Sequence, residues 1–182
     1  VDDAANALKK LGLNITERDH HEGNNARELR CSAGEFVSFL ETLEPCILQS
    51  SDTHCVPEAI CRATESTKSE FLKAFIEGEG HVSKSQREIT IPSMSRELLE
   101  TVRTLLLSVG IRSQLNERHT GSYRLRISGD EFGTYVSEIG FITDRKQQAT
   151  EQYVDTNGNT NLDVVPNIGT KLRRIRESLS LT

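Results

Sequence analysis

The chain repeats itself, and the repetition limits the folds open to it. Leu11-Gly12-Leu13 returns as Val109-Gly110-Ile111, an offset of 98. Leu29-Arg30-Cys31-Ser32 with Glu35-Phe36 returns as Leu125-Arg126-Ile127-Ser128 with Glu131-Phe132, an offset of 96. A two-residue difference in a loop reconciles the two values. Two copies are too few for a solenoid, so the repeat predicts a pair of similar αβ units related by a pseudo-twofold axis.

Ahead of the second copy runs the segment from Leu72 to Gly80. Phe71, Leu72, Phe75 and Ile76 recur at helical spacing and predict one packed face, while small Ala74 and Gly78 let another backbone come close. Gly80 stops the helix and leaves Glu79 at its C-terminal end, where free carbonyls gather and a divalent cation is favoured beside the carboxylate. A surface helix with a glycine C-cap fits the same nine residues. Applying the repeat offset to Glu79 puts its counterpart about twenty residues before Val1. The first copy is therefore expected to lack its beginning.

The remaining elements follow from periodicity. Arg96 to Ser108 carries an apolar stripe ending at Gly110, and Glu131 to Ile139 repeats that pattern with Phe132, Tyr135, Val136 and Ile139. Their counterparts are Ala4 to Leu11 and Phe36 to Leu43. Ile111 to Arg118 and Tyr123 to Ser128 alternate as strands around a His119-Thr120-Gly121-Ser122 turn. One face of that hairpin gathers Arg112, Gln114, Asn116, Arg118, Arg124 and Arg126, side chains that pair with guanine and adenine edges on a ribbon fit for a major groove. An ordinary solvated sheet face usually mixes in acids, and none stands among these six positions.

The formal charge of −5 argues against nucleic acid until it is divided along the chain. Residues 81 to 128 hold eight Lys and Arg, with Lys84 and Arg87 among them, against four Glu, while the remainder is strongly acidic. Screening confines charge effects to about 10 Å, so a basic region can bind phosphate locally. The first copy, with Arg18, Glu28 and Arg30 at comparable places, is expected to grip DNA more weakly. No segment reads as a membrane span or a signal peptide. Cys31, Cys46, Cys55 and Cys61 lack the paired spacing of a zinc site and, with no export signal, are expected to be reduced.

Together these residues resemble the LAGLIDADG homing endonucleases, in particular the DOD-type domains carried inside archaeal inteins. Leu72 to Gly80 fits the family motif position by position, with Glu77 and Glu79 where the family usually has aspartates. The likeness continues through Leu98 to Gly110, Tyr123 to Ser128, Ile139-Gly140-Phe141 and Arg145-Lys146. It implies an α+β fold: a pseudo-twofold αββαββα arrangement whose antiparallel sheets form a DNA-binding saddle, the first repeat incomplete. Residues 1–57 are then a partial first repeat, 58–150 a complete second one, and 151–182 a linker and the start of a C-terminal helical segment.

The function implied is site-specific cleavage of double-stranded DNA, with Mg²⁺ or Mn²⁺ bound by Glu79 and the Gly78 carbonyl together with the acid of the missing first motif. By the same resemblance Lys146 lies where the family often has a basic residue near the scissile phosphate. His54 holds the comparable place in the first copy, a departure from lysine. The DNA contacts implied are Lys84, Arg87, Arg112, Gln114, Asn116, Arg118, Arg124, Arg126 and Arg30. A cytoplasmic monomer, borne by a host protein if an intein, is expected. A non-cleaving DNA-binding or splicing-related relative and a duplicated α/β interaction domain remain alternatives, and no splice-junction residues are visible.

Overall fold

A computed structural model describes residues 2–19, 27–31, 34–45 and 50–153, together with 175, 178 and 179. Apart from the bonds that the Leu179 amide and the Ser178 hydroxyl make to the Ile175 carbonyl, at 3.0 and 2.8 Å, the linker and C-terminal helix expected after 153 lie outside the described residues.

The longer run of elements begins with the short helix α3 (Glu58–Cys61) and the long helix α4 (Glu65–Glu79). Thr64 starts α4 by accepting a hydrogen bond from the Thr67 amide through its hydroxyl, which satisfies one of the free amides of the first turn. Strands β3 (His81–Val82) and β4 (Glu88–Ser93), helix α5 (Arg96–Ser108), strands β5 (Gln114–Glu117) and β6 (Tyr123–Ser128), and helices α6 (Asp130–Glu138) and α7 (Asp144–Glu151) follow. The four strands form one antiparallel sheet in the order β3-β4-β6-β5. This is the αββαββ order expected, with α6 and α7 closing the unit.

The first copy supplies α1 (Asp2–Lys10), the hairpin of β1 (Ile15–Asp19) and β2 (Arg27–Cys31), and α2 (Gly34–Leu43). It matches α5-β5-β6-α6 element for element, down to the helix stops. In the second copy the Gly110 amide bonds to Leu107 and the Ile111 amide to Leu106; in the first, Gly12 bonds to Lys9 and Leu13 to Leu8. Both are the paired C-terminal bonds that need a left-handed residue, supplied by Gly12 at φ 77° and Gly110 at φ 83°.

The core lies on one face of the four-stranded sheet. Ile89, Ile91, Leu125 and Ile127 are fully buried from the strands, against Leu72 and Ile76 of α4, Leu99, Val102 and Leu106 of α5, and Phe132 and Tyr135 of α6. Burying each such side chain contributes about 1.5–3 kcal/mol, which fixes the strand register because a one-residue slip would turn the whole row outward. The opposite face is left for polar residues.

Two expectations change. The strand expected over 111–118 shortens to Gln114–Glu117, because Ile111 is drawn into the core and the backbone amide and guanidinium of Arg112 turn to Glu131. Cys31 and Cys61 are free thiols, but Cys55 is disulfide-bonded. Tertiary proximity decides a disulfide, and spacing along the chain does not reveal it.

Candidate metal and nucleic-acid site

Four residues close α4, and the structure gives each a different task. Gly80 is the C-cap, and its amide returns to the Ile76 carbonyl at 2.9 Å. A Cβ there would sit 2.5 Å from that carbonyl oxygen and 2.7 Å from the Ile76 Cγ2, so no other residue fits without moving the helix end. Gly78 is exposed, and a Cβ on it would meet nothing within 4 Å. With exposed Ala74 one turn back, it leaves a flank of small residues on α4.

The two acids separate. Glu77 turns to the start of α7, accepting from the Ile142 amide at 3.1 Å, the Thr143 amide at 3.4 Å and the Thr143 hydroxyl at 2.8 Å. Glu79 is exposed and lines a cavity of about 410 Å³ with His54 and Phe75. Ser51, Ser93 and Ser122 add hydroxyls to the same wall, and Met94 and Leu98 make it partly apolar. Sequence singled out Glu79 by its place at the helix end, but the groups at the start of α7 that occupy Glu77 come from 65 and 66 residues away.

Lys146 returns the bond that Glu77 makes. Only 8% exposed, it donates from Nζ to the carbonyls of Ile76 at 3.3 Å, Gly80 at 2.6 Å and Glu77. Its ammonium also lies 5.8 Å from the centre of the Phe141 ring. Burial lowers its pKa, opposed by the negative charges of Glu77 and Glu79 and reinforced by Arg145. On this side of α4, the cation that the helix C-terminus favours is a lysine of the same chain.

His54 is held from behind. Ser95, 3% exposed, donates its hydroxyl to the His54 carbonyl at 2.9 Å while accepting from the Leu98 amide at 3.1 Å as the N-cap of α5. Nearby, the Asp52 carboxyl is held below its ordinary pKa, first by the Ser50 hydroxyl, then by its own backbone, and least by His54.

The polar face of the sheet forms ordered rows. Gln114 pairs with Arg126, Arg126 with Thr90, and Thr90 with His81, one residue from each strand; Asn116 pairs with Arg124, and Arg124 with Pro92. Residues with matching parity point to the same side, so Gln114, Asn116, Arg124 and Arg126 share one face. Strand β4 brings an acid to that face which the hairpin's own sequence does not contain. Glu88 accepts from Arg126 Nε at 2.8 Å and from its terminal nitrogen.

The remaining basic candidates divide the same way. The Arg112 guanidinium bonds Glu131 at 2.7 Å, and Arg87 lies over the Phe132 ring, 5.9 Å from its centre, with its terminal nitrogen where a Cβ on Gly133 would be. Lys84 and Arg118 are exposed at the β3–β4 and β5–β6 turns. Arg30 pairs with Glu28 at 3.0 Å on the first hairpin.

The mixed fold of helices and open antiparallel sheets resembles the LAGLIDADG homing endonuclease fold. Residues 66–140 match the LAGLIDADG-like domain. Among solved structures, the homing endonuclease I-DmoI in complex with DNA and Ca superposes with a TM-score of 0.59 at 19% identity, over 82% of this chain and 73% of that one. Full-length DUF199/WhiA from Thermatoga maritima superposes with a TM-score of 0.53 at 16% identity, over 97% of this chain and 54% of that one. I-DmoI is also known in complex with DNA and Mn.

Similar sequence occurs in DNA-directed RNA polymerase subunit Rpo1C of Methanocaldococcus jannaschii, 25% identical over 93% of this chain and 20% of that protein. It occurs in elongation factor 2 of Methanopyrus kandleri, 27% identical over 94% of this chain and 13% of that protein. The DNA polymerase II large subunit of Thermococcus kodakarensis is 28% identical over 55% of this chain and 7% of its own length. The chain thus spans a fifth or less of each of these relatives. Among the described residues no helix is long and apolar enough to cross a membrane.

Proposed function

We propose that this chain is part of a site-specific endonuclease of double-stranded DNA, in which Glu79 and the Gly78 carbonyl hold a divalent metal and the polar sheet face reads the duplex. The observation that carries this reading is the position of Glu79, the one acid of its motif left exposed to an open groove while Glu77 is tied to α7. A carboxylate and a backbone carbonyl are hard oxygen donors that suit Mg²⁺ or Mn²⁺. The described residues contain no cluster of three or more His, Cys, Asp or Glu that could hold a metal, so an ion held by Glu79 would take its remaining ligands from phosphate, water and the acid of a second motif helix. When bound, the ion activates water and stabilises the leaving oxygen.

The chain's own residues do the rest. Gln114, Asn116 and Arg124 offer donors and acceptors to base edges, and exposed Lys84 and Arg118 meet phosphates at the two turns, with Arg87, Arg112, Arg126 and Arg30 adding charge from ion-paired or packed positions. Lys146, with its ammonium on three carbonyls, supports the helix end from which Glu79 projects, and acts on phosphate only by giving those bonds up. Residues 1–57 serve as a partial first repeat, 58–150 as the complete one, and 151–182 as a linker and C-terminal segment. The flank of Ala74 and Gly78 receives the second motif helix.

Its relatives support an inserted element, as in an intein. An RNA polymerase subunit, a translation factor and a DNA polymerase have unrelated tasks, yet each matches this chain over a small part of its length. A domain carried within unrelated host proteins produces that distribution. The chain would then act in the cytoplasm of an archaeal host, as a monomer.

A second reading has its own support: the Lys146 ammonium is committed to the carbonyls of Ile76, Glu77 and Gly80 and not open to a phosphate, and a non-cleaving DNA-binding relative would keep the same surface. Duplex binding over a salt series, followed by single-turnover cleavage with Mn²⁺, tests both. Salt-dependent binding with cleavage that Glu79→Gln abolishes supports the endonuclease. Salt-dependent binding alone supports the second reading, and a flat salt response removes both.

A further inference from the structure

We propose that His54 is a second ligand from this chain to the cation at Glu79, and that its imidazole tilts the site toward Mn²⁺ over Mg²⁺. The inference rests on the metal-dependent reading above and deepens it.

Both side chains line one cavity of about 410 Å³, with serine hydroxyls and no lysine or arginine in its wall. The groove therefore joins a carboxylate and an imidazole without a fixed cation lining it. His54 reaches that wall from a segment 25 residues before Glu79, and its backbone is anchored there. Ser95 holds its carbonyl at 2.9 Å, and Val56, two residues on, is buried in the core at 6% exposure. Half-buried His54 is thus held on fixed backbone and owes none of that anchorage to its ring.

The ligand chemistry follows from the donor types. Mg²⁺ takes oxygen donors and gives up water reluctantly. Imidazole is a borderline donor, and affinity for nitrogen-containing sites rises along the first-row series from Mn²⁺ onward. A site of Glu79 and His54 therefore loses more Mn²⁺ affinity than Mg²⁺ affinity when the imidazole is removed. A site of Glu79 and oxygen atoms alone loses neither.

The test titrates the full chain, without DNA, with Mn²⁺ followed by loss of the free-ion electron paramagnetic resonance signal, and with Mg²⁺ by competition. Glu79→Gln is expected to abolish binding. His54→Ala is expected to weaken Mn²⁺ at least about tenfold, more than it weakens Mg²⁺, and leaves the Ser95 bond in place because that bond uses the backbone. Sub-stoichiometric Mn²⁺ is expected to broaden the His54 ring resonances ahead of those of the other four histidines. Wild-type Mn²⁺ affinity in His54→Ala, with binding lost in Glu79→Gln, overturns His54 as a ligand and leaves the metal-dependent reading intact. Absence of Mn²⁺ binding in the wild type overturns a Glu79–His54 site on this chain and leaves the DNA-dependent reading standing, while binding unaffected by Glu79→Gln overturns both. Thermal melts of each variant identify any loss that comes from unfolding.

Discussion

Lys146 and Glu77 each hold the end of the other's helix. The Lys146 ammonium sits on the carbonyls of Ile76, Glu77 and Gly80 at the close of α4, and the Glu77 carboxylate accepts from Ile142 and Thr143 at the start of α7. The two exchanges match the helix dipoles, a cation at one C-terminus and an anion at one N-terminus.

Removing either partner leaves a polar group of the other helix unsatisfied. Lys146→Met is expected to cost about 1–3 kcal/mol, because buried carbonyls lose a charged donor. Glu77→Gln keeps an acceptor and should cost about 1 kcal/mol or less. Urea denaturation of both and of the double variant should give a coupling of at least about 0.5 kcal/mol; strict additivity would dissolve the clamp.

The two glycines of the motif should respond in opposite directions. Gly80→Ala drives a methyl into the Ile76 carbonyl and side chain and is expected to destabilise by more than about 1 kcal/mol. Gly78→Ala enters open space and should stabilise the isolated chain by up to about 1 kcal/mol, as alanine does in a helix. The same variant should impair cleavage if a second motif helix packs on that flank. Denaturation curves and a cleavage assay separate the two effects.

On the sheet, adjacent arginines should differ. Arg124→Ala is expected to weaken duplex binding by about 1–3 kcal/mol and to relax base preference at the position it reads. Arg126 is already engaged by Glu88, so Arg126→Ala should matter less, and Glu88→Gln should raise affinity by releasing it. Equal losses from both arginines in fluorescence anisotropy would mean that the Glu88 pairing is broken on DNA.

Tyr135 gives a pH signature. Its hydroxyl is buried with no hydrogen-bond partner among the described residues, and burial first, then the Glu77 charge, raises its pKa. The folded state therefore holds this proton more tightly than the unfolded chain. The resulting stability is fully present below the unfolded value of about 10 and is lost as pH rises above it. Tyr135→Phe should be neutral or stabilising at pH 7 and should flatten that alkaline decline in denaturant melts; an unchanged decline would assign it to other groups.

Much of the fold was legible because its signals are local. The stripe of α5 and its stop at Gly110 depend on residues within a turn of one another, and the repeat could be read from Leu11-Gly12-Leu13, Leu29 to Phe36 and their echoes. The alternation of β6 likewise placed Arg124 and Arg126 on one face before any partner strand was known.

What only the tertiary structure decided is the assignment of charges. Glu77 and Glu79 stand two residues apart in one motif, and the start of α7 takes up Glu77 through Ile142 and Thr143 while Glu79 remains at the groove. Glu88 neutralises Arg126 across 38 residues, Glu131 claims Arg112, and Ser95 fixes the His54 backbone across 41. Sequence periodicity fixes which way a side chain leaves its own element. A charged group's role depends on what meets it there, and that partner comes from elsewhere in the chain.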